Sequence, residues 1–181
     1  RDRRTAAAPA AQEVVLLFEA CDHELRVGRD PEVLAHLAQQ QFVVVEAKIG
    51  SSLSSGTRNA PYFDQAARTV ACMAESLRRA DRRPSDVVRL VFIVLAPQSA
   101  IDAGTFAEEM DLTSIRSKVK RRVSEYEGTL DEWHSRWFKP TMAEIDLLSL
   151  SWEAAISWLG DSDGAAGAAL ADFYQRCLDF N

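Results

Sequence analysis

Glycine, proline and cysteine are all scarce in this chain, at 8, 6 and 3 among 181 residues. The glycines form neither a G-x-G-x-x-G nor a G-x-x-x-x-G-K run, which excludes the usual dinucleotide and P-loop phosphate cradles. Gly50 and Gly56 alone are too sparse for that work. Cys21, Cys72 and Cys177 are widely spaced and odd in number. They make neither a disulfide framework nor a zinc site, and they suit a reducing compartment. No apolar run approaches the length of a membrane span. The Arg- and Ala-rich start has no apolar central region, so it does not read as a signal peptide. The expectation is a cytoplasmic protein with no membrane partner. Excess positive charge is missing too: the net charge is −6. A nucleic-acid binder usually shows a basic footprint, so any such surface here has to be local.

What is present has an ordinary globular balance, 47% hydrophobic and 27% charged. The length suits one domain over residues 1–181, with residues 1–12 as a loose arm or the remnant of a truncated helix. Gln41–Ile49 (QFVVVEAKI) organises the rest. Its apolar, β-branched run reads as a short buried strand that ends on Glu46 and Lys48. Alternation places these two side chains on one face and Ala47 on the other. A carboxylate and an ammonium at the exit of an apolar strand are costly to bury unless they pair or hold a metal. A surface pair at a strand end is the plainer reading.

Glu13–Ala20 (EVVLLFEA) reads as a second strand and Asp86–Ala96 (DVVRLVFIVLA) as a third, with Ile145–Trp152 as a possible last strand. Between them, Pro31–Gln40 reads as a short helix. Pro61 opens a helix to about Ala80, with Phe63, Ala66, Ala67, Val70, Met73, Ala74 and Leu77 on one face. Asp111 or Thr113 caps a helix through Glu127, ended by Gly128, and Leu130–Met142 is a further helix. Asp161–Gly167 reads as a flexible link and Ala168–Leu178 as a closing helix. This order predicts an α/β sheet of four or five strands covered by helices on both faces.

A hard divalent cation such as Mg²⁺ (or Mn²⁺) takes one or two carboxylates plus water and phosphate. If the first two strands pair antiparallel, the start of one lies opposite the end of the other. That brings Glu13 beside Glu46 or Lys48. Glu13 and Glu46 would then bridge the metal, with Lys48 stabilising a phosphate or orienting the attacking water. Glu19 sits roughly 20 Å further along its strand, and Asp22, His23 and Glu24 read as a polar turn.

These residues resemble the PD-(D/E)XK nuclease superfamily: an acid on one strand, then E-x-K at the end of the next. The resemblance extends over Val43–Ala74, a strand, polar loop and helix, and roughly over Glu13–Ala96. It implies a restriction-endonuclease-like mixed sheet. It also implies a supporting Gln near the start of the helix, where Gln65 stands, and a metal contact from the backbone carbonyl of Ala47. Two features depart from the pattern. The first acid is Glu13 after Gln12 rather than Asp after Pro, and Thr69 stands where RecB-like members carry Tyr.

Gln65 and Arg68 lie three apart on one helix flank; Arg68 is placed to bind a substrate phosphate or simply lines a solvated edge. The cationic run Arg116, Lys118, Lys120, Arg121 and Arg122 grips a phosphate backbone or forms a solvated face. The tryptophans offer base stacking or core packing. The expectation is a Mg²⁺-dependent deoxyribonuclease, with catalytic residues Glu13, Glu46, Lys48 and Gln65. The alternative is a catalytically silent binding or accessory module of the same fold with a protein partner; the expected partners are DNA and either a second copy in a homodimer or another protein.

Overall fold

The computed structural model describes residues 41–180. The expected strand Glu13–Ala20 and helix Pro31–Gln40 lie outside the described residues. Among the described residues the sheet has three strands: β1 (Gln41–Ala47), β2 (Arg89–Ala96) and β3 (Ile145–Ser151). They stand in the order β1-β2-β3 and both pairings are parallel. This overturns the expected mixed, restriction-endonuclease-like sheet of four or five strands. Parallel neighbours cannot be joined by tight hairpins, so each connection must cross over through helices. The chain does this twice within the described residues.

Register fixes the two faces of the sheet. Phe42, Leu90 and Ile145 lie side by side, as do Val44, Phe92 and Leu147, then Glu46, Val94 and Ser149. Along this face Phe42, Leu90, Phe92, Val94 and Ile145 join one core cluster. The cluster is completed by α1 (Gln65–Arg79) and α3 (Leu112–Ser124), which contribute Val70, Met73, Leu77, Ile115 and Val119. Glu46 therefore continues the core face to the carboxyl end of β1. On the opposite face β3 leaves Leu148 and Leu150 exposed, so among the described residues the expected helical cover is not seen there.

Helix boundaries follow local capping. The helix expected from Pro61 begins instead at Gln65, because Asp64 is extended and its side chain accepts from the Ala67 N–H at 3.0 Å. β2 begins three residues later than the run from Asp86 suggests. Pro84–Asp86 form a 3₁₀ turn in which the Asp86 carboxylate accepts from the Arg83 N–H at 3.1 Å. After β2 come the short α2 (Gln98–Asp102) and then α3, capped by Asp111. The helix expected over Leu130–Met142 is interrupted. α4 (Asp131–Trp133) passes into a π-helical turn, His134–Phe138, and then α5 (Lys139–Glu144). The wider turn lets Trp133 and Phe138 stack at 5.8 Å, five residues apart.

Two helices follow β3, α6 (Trp152–Ser162) and α7 (Gly164–Asp179). The stretch Asp161–Gly167, expected to be a flexible link, is helical on either side of Asp163, whose carboxylate caps α7. Gly167 serves packing. A Cβ at Gly167 would stand 2.4 Å from Gly160 Cα, so only glycine admits this close crossing of α6 and α7.

Candidate functional site

β1 delivers Glu46 to the carboxyl end of the sheet, where ligands of open parallel sheets bind. Two residues on, Lys48 points the same way, and its Nζ lies 3.0 Å from Glu46 Oε1. Their side chains are only 13% and 15% exposed. A lone charge so shielded from water is expensive, and the pairing offsets that cost. The expected one-face placement of Glu46 and Lys48 is thus realised in the pair itself.

Gln65, the first residue of α1, closes the constellation. Lys48 Nζ donates to Gln65 Oε1 at 3.0 Å. The Ser54 N–H donates to the same oxygen at 3.0 Å, and the Gln65 N–H returns a bond to the Ser54 carbonyl at 2.9 Å. Gln65 is 3% exposed, so these bonds fix its rotamer and hold the polar loop against the helix start. Leu53 anchors the loop in the core. Gly56 lets it fold back: a Cβ there would meet the Ala60 carbonyl at 1.9 Å.

Around this centre lie contacts that periodicity could not reveal. The Asp64 carboxylate, besides capping α1, pairs with Lys118 Nζ of α3 at 2.5 Å. The side chains of Lys118 and Asp64 are 18% and 11% exposed. From the first residue of α6, just past β3, the Trp152 indole N–H donates to the Lys48 carbonyl at 3.0 Å. The Lys48 N–H donates to the Leu95 carbonyl at 2.8 Å. The main chain at Lys48 is therefore held from both sides. Arg68, one turn along α1 from Gln65, donates to Ser54 Oγ at 2.8 Å and to the Ser55 carbonyl at 3.3 Å.

The α3 cations are largely committed to the protein itself. Arg116 donates to the Met142 carbonyl, Lys118 holds Asp64, Arg121 lies over the Tyr62 ring and Arg122 pairs with Glu125. Hydrogen bonds from Tyr62 and Arg122 hold the exposed Glu125 carboxyl below its ordinary range. His134 is pushed down by burial and by the nearby Lys139, and it stacks on Phe138.

Of the metal ligands expected from the sequence, the described residues include Glu46, whose carboxylate is paired with Lys48, and the next residue, Ala47. Among the described residues no group of three or more His, Cys, Asp or Glu side chains could hold an ion. Glu13, the second acid expected from the sequence, lies outside them. Mg²⁺ keeps several waters and takes few protein ligands; the Glu46 carboxylate would be one of them, beside its pair with Lys48.

Comparison of the chain with family models, curated proteins and solved structures finds no match.

Proposed function

We propose that the protein is a metal-dependent nuclease that hydrolyses phosphodiester bonds of DNA in the cytoplasm, related at its site to the PD-(D/E)XK nucleases. One observation carries this reading. Lys48 Nζ is held 3.0 Å from Glu46 Oε1 and 3.0 Å from Gln65 Oε1 at the carboxyl end of a parallel strand. An ammonium held this way faces a transition state without paying reorganisation when charge develops there. Glu46 and the Ala47 carbonyl would hold Mg²⁺ or Mn²⁺, with Glu13 as the second acid. When bound, such an ion activates a water and polarises the phosphoryl oxygen. Lys48 would then stabilise the phosphoryl charge or orient the water, Gln65 would keep Lys48 in place, and Arg68 would bind a neighbouring phosphate.

The test is incubation of the purified chain with supercoiled, linear and single-stranded DNA, in Mg²⁺ and in EDTA. Cleavage that requires the ion is the expected result. Binding of DNA or a protein without cleavage under any ion would instead favour an accessory module.

A further inference from the structure

The main chain at Lys48 is held by a side chain where the sheet would ordinarily use backbone. In a parallel ladder a residue donates its N–H to a carbonyl of the neighbouring strand. Its own carbonyl then accepts from the residue two further along that strand. Lys48 donates to the Leu95 carbonyl at 2.8 Å, so the donor due at the Lys48 carbonyl is the N–H of residue 97. That residue is Pro97, which has no N–H. The Trp152 indole N–H stands in for it at 3.0 Å. The first residue of α6 thus closes a ladder that the backbone leaves open.

The indole is itself fixed. Trp152 is buried, and the Tyr174 ring of α7 stacks on it at 5.6 Å. The Tyr174 hydroxyl donates to one oxygen of Glu153, and the other oxygen accepts from the Gln98 N–H, the first donor after Pro97. Ser151 caps α6 by accepting from the Ala154 N–H at 3.0 Å. The first turn of α6 therefore ties together the carboxyl ends of all three strands. Orientation follows as well. The Lys48 N–H points to β2, so the Ala47 carbonyl, across the same trans peptide, points away from it.

We propose that Trp152 is a positioning residue for Lys48. Its N–H holds the Lys48 main chain where the ammonium reaches both Glu46 and Gln65. The inference rests on the nuclease reading and adds to it a residue 104 positions from Lys48. A residue with an N–H at position 97 would supply the bond from within the sheet. With proline there, the placing of Lys48 depends on α6 and on Tyr174 behind it. Misplacing a reacting group by about 1 Å costs roughly a hundredfold in rate, so a single main-chain bond at this point matters to the chemistry.

The test is a double-mutant cycle on the full chain. Trp152→Phe keeps a ring for Tyr174 and removes the N–H. Pro97→Ala offers a backbone N–H to the same carbonyl. In the parent, Trp152→Phe should lower the single-turnover rate of DNA cleavage in Mg²⁺ by roughly 10- to 100-fold. Affinity for DNA in EDTA should not change. On the Pro97→Ala background the same substitution should cost only a small part of that loss. Val123→Ala, a buried truncation in α3 away from these contacts, controls for stability and should cut like the parent. Hydrogen exchange at the Lys48 amide gives a readout without cleavage: faster in Trp152→Phe, restored in the double variant. Folded Trp152→Phe protein that cuts like the parent overturns the inference. So does a loss that Val123→Ala matches, or one that Pro97→Ala leaves undiminished. Should the parent cut no DNA under any ion, the nuclease reading fails and the exchange data decide alone. Faster Lys48 exchange in Trp152→Phe then upholds the hold on the main chain, and unchanged exchange overturns it.

Discussion

Gln65 accepts a hydrogen bond from Lys48 Nζ at 3.0 Å, across 17 positions of sequence. The same oxygen receives the Ser54 N–H. One buried amide thus orients the ammonium and fixes the loop. Gln65→Ala would strip both donors of their acceptor, at a cost of about 1–3 kcal/mol. Chemical denaturation should read that loss. Cleavage should fall further than stability explains, since Lys48 keeps its Glu46 partner but loses its second restraint. Gln65→Ala protein as stable and active as the parent would remove Gln65 from the account.

Asp64 does two jobs, and they separate by substitution. Asp64→Asn keeps an oxygen for the Ala67 N–H and loses the charge facing Lys118, whereas Asp64→Ala loses both. A lost N-cap costs about 0.5–2 kcal/mol. Urea midpoints should therefore rank parent, Asn variant, Ala variant. An Ala variant no less stable than the Asn variant would show that the cap contributes nothing.

Tyr174 links α7 to the site. Its hydroxyl donates to Glu153 at 2.9 Å, and its ring stacks on Trp152, whose N–H holds the Lys48 carbonyl. Burial, with the Glu153 carboxylate adding to it, pushes the phenol up to about 12. A group raised in the folded state contributes stability that is complete below its unfolded pKa of about 10 and is lost as pH rises towards 12. The stability difference between parent and Tyr174→Phe should accordingly be largest below pH 10 and shrink through that window. A difference independent of pH would contradict the assignment.

The organising strand was legible because an apolar β-branched run and period-two alternation are local signals. Glu46 and Lys48 fall on one face for that reason, and β3 is read within one residue of its observed end. Gln65 was reachable only by resemblance; nothing in its spacing names Lys48 as its partner. The Asp64–Lys118 pair spans 54 positions, and the Trp152 bond to the Lys48 carbonyl spans 104. Such contacts depend on how helices stack, which hydropathy does not encode. The α3 cations read as one face, yet the fold gives most of them separate intramolecular partners. The link read at Asp161–Gly167 failed for another reason. Small residues signal a loop by composition, but here they permit two helices to cross closely.

A bound divalent ion should stabilise the folded chain. An ion that binds only the native state raises stability by about 2.7 kcal/mol at a hundred times its Kd, and by less at lower excess. The thermal midpoint should rise with millimolar Mg²⁺ or Mn²⁺, and Glu46→Gln should reduce that rise. An identical rise in both proteins would place the ion elsewhere.

In the proposed reaction Lys48 acts on the phosphate being cleaved. Single-turnover cleavage of DNA in Mg²⁺ by the parent and by Lys48→Met tests it most directly, with melting curves confirming that both are folded. Methionine keeps most of the side-chain volume beside Glu46 while removing the charge. Loss of one preorganised contact to a transition state lowers the rate about 10²–10³-fold, and that is the predicted result. A folded Lys48→Met protein that cuts DNA at the parent rate would contradict the account.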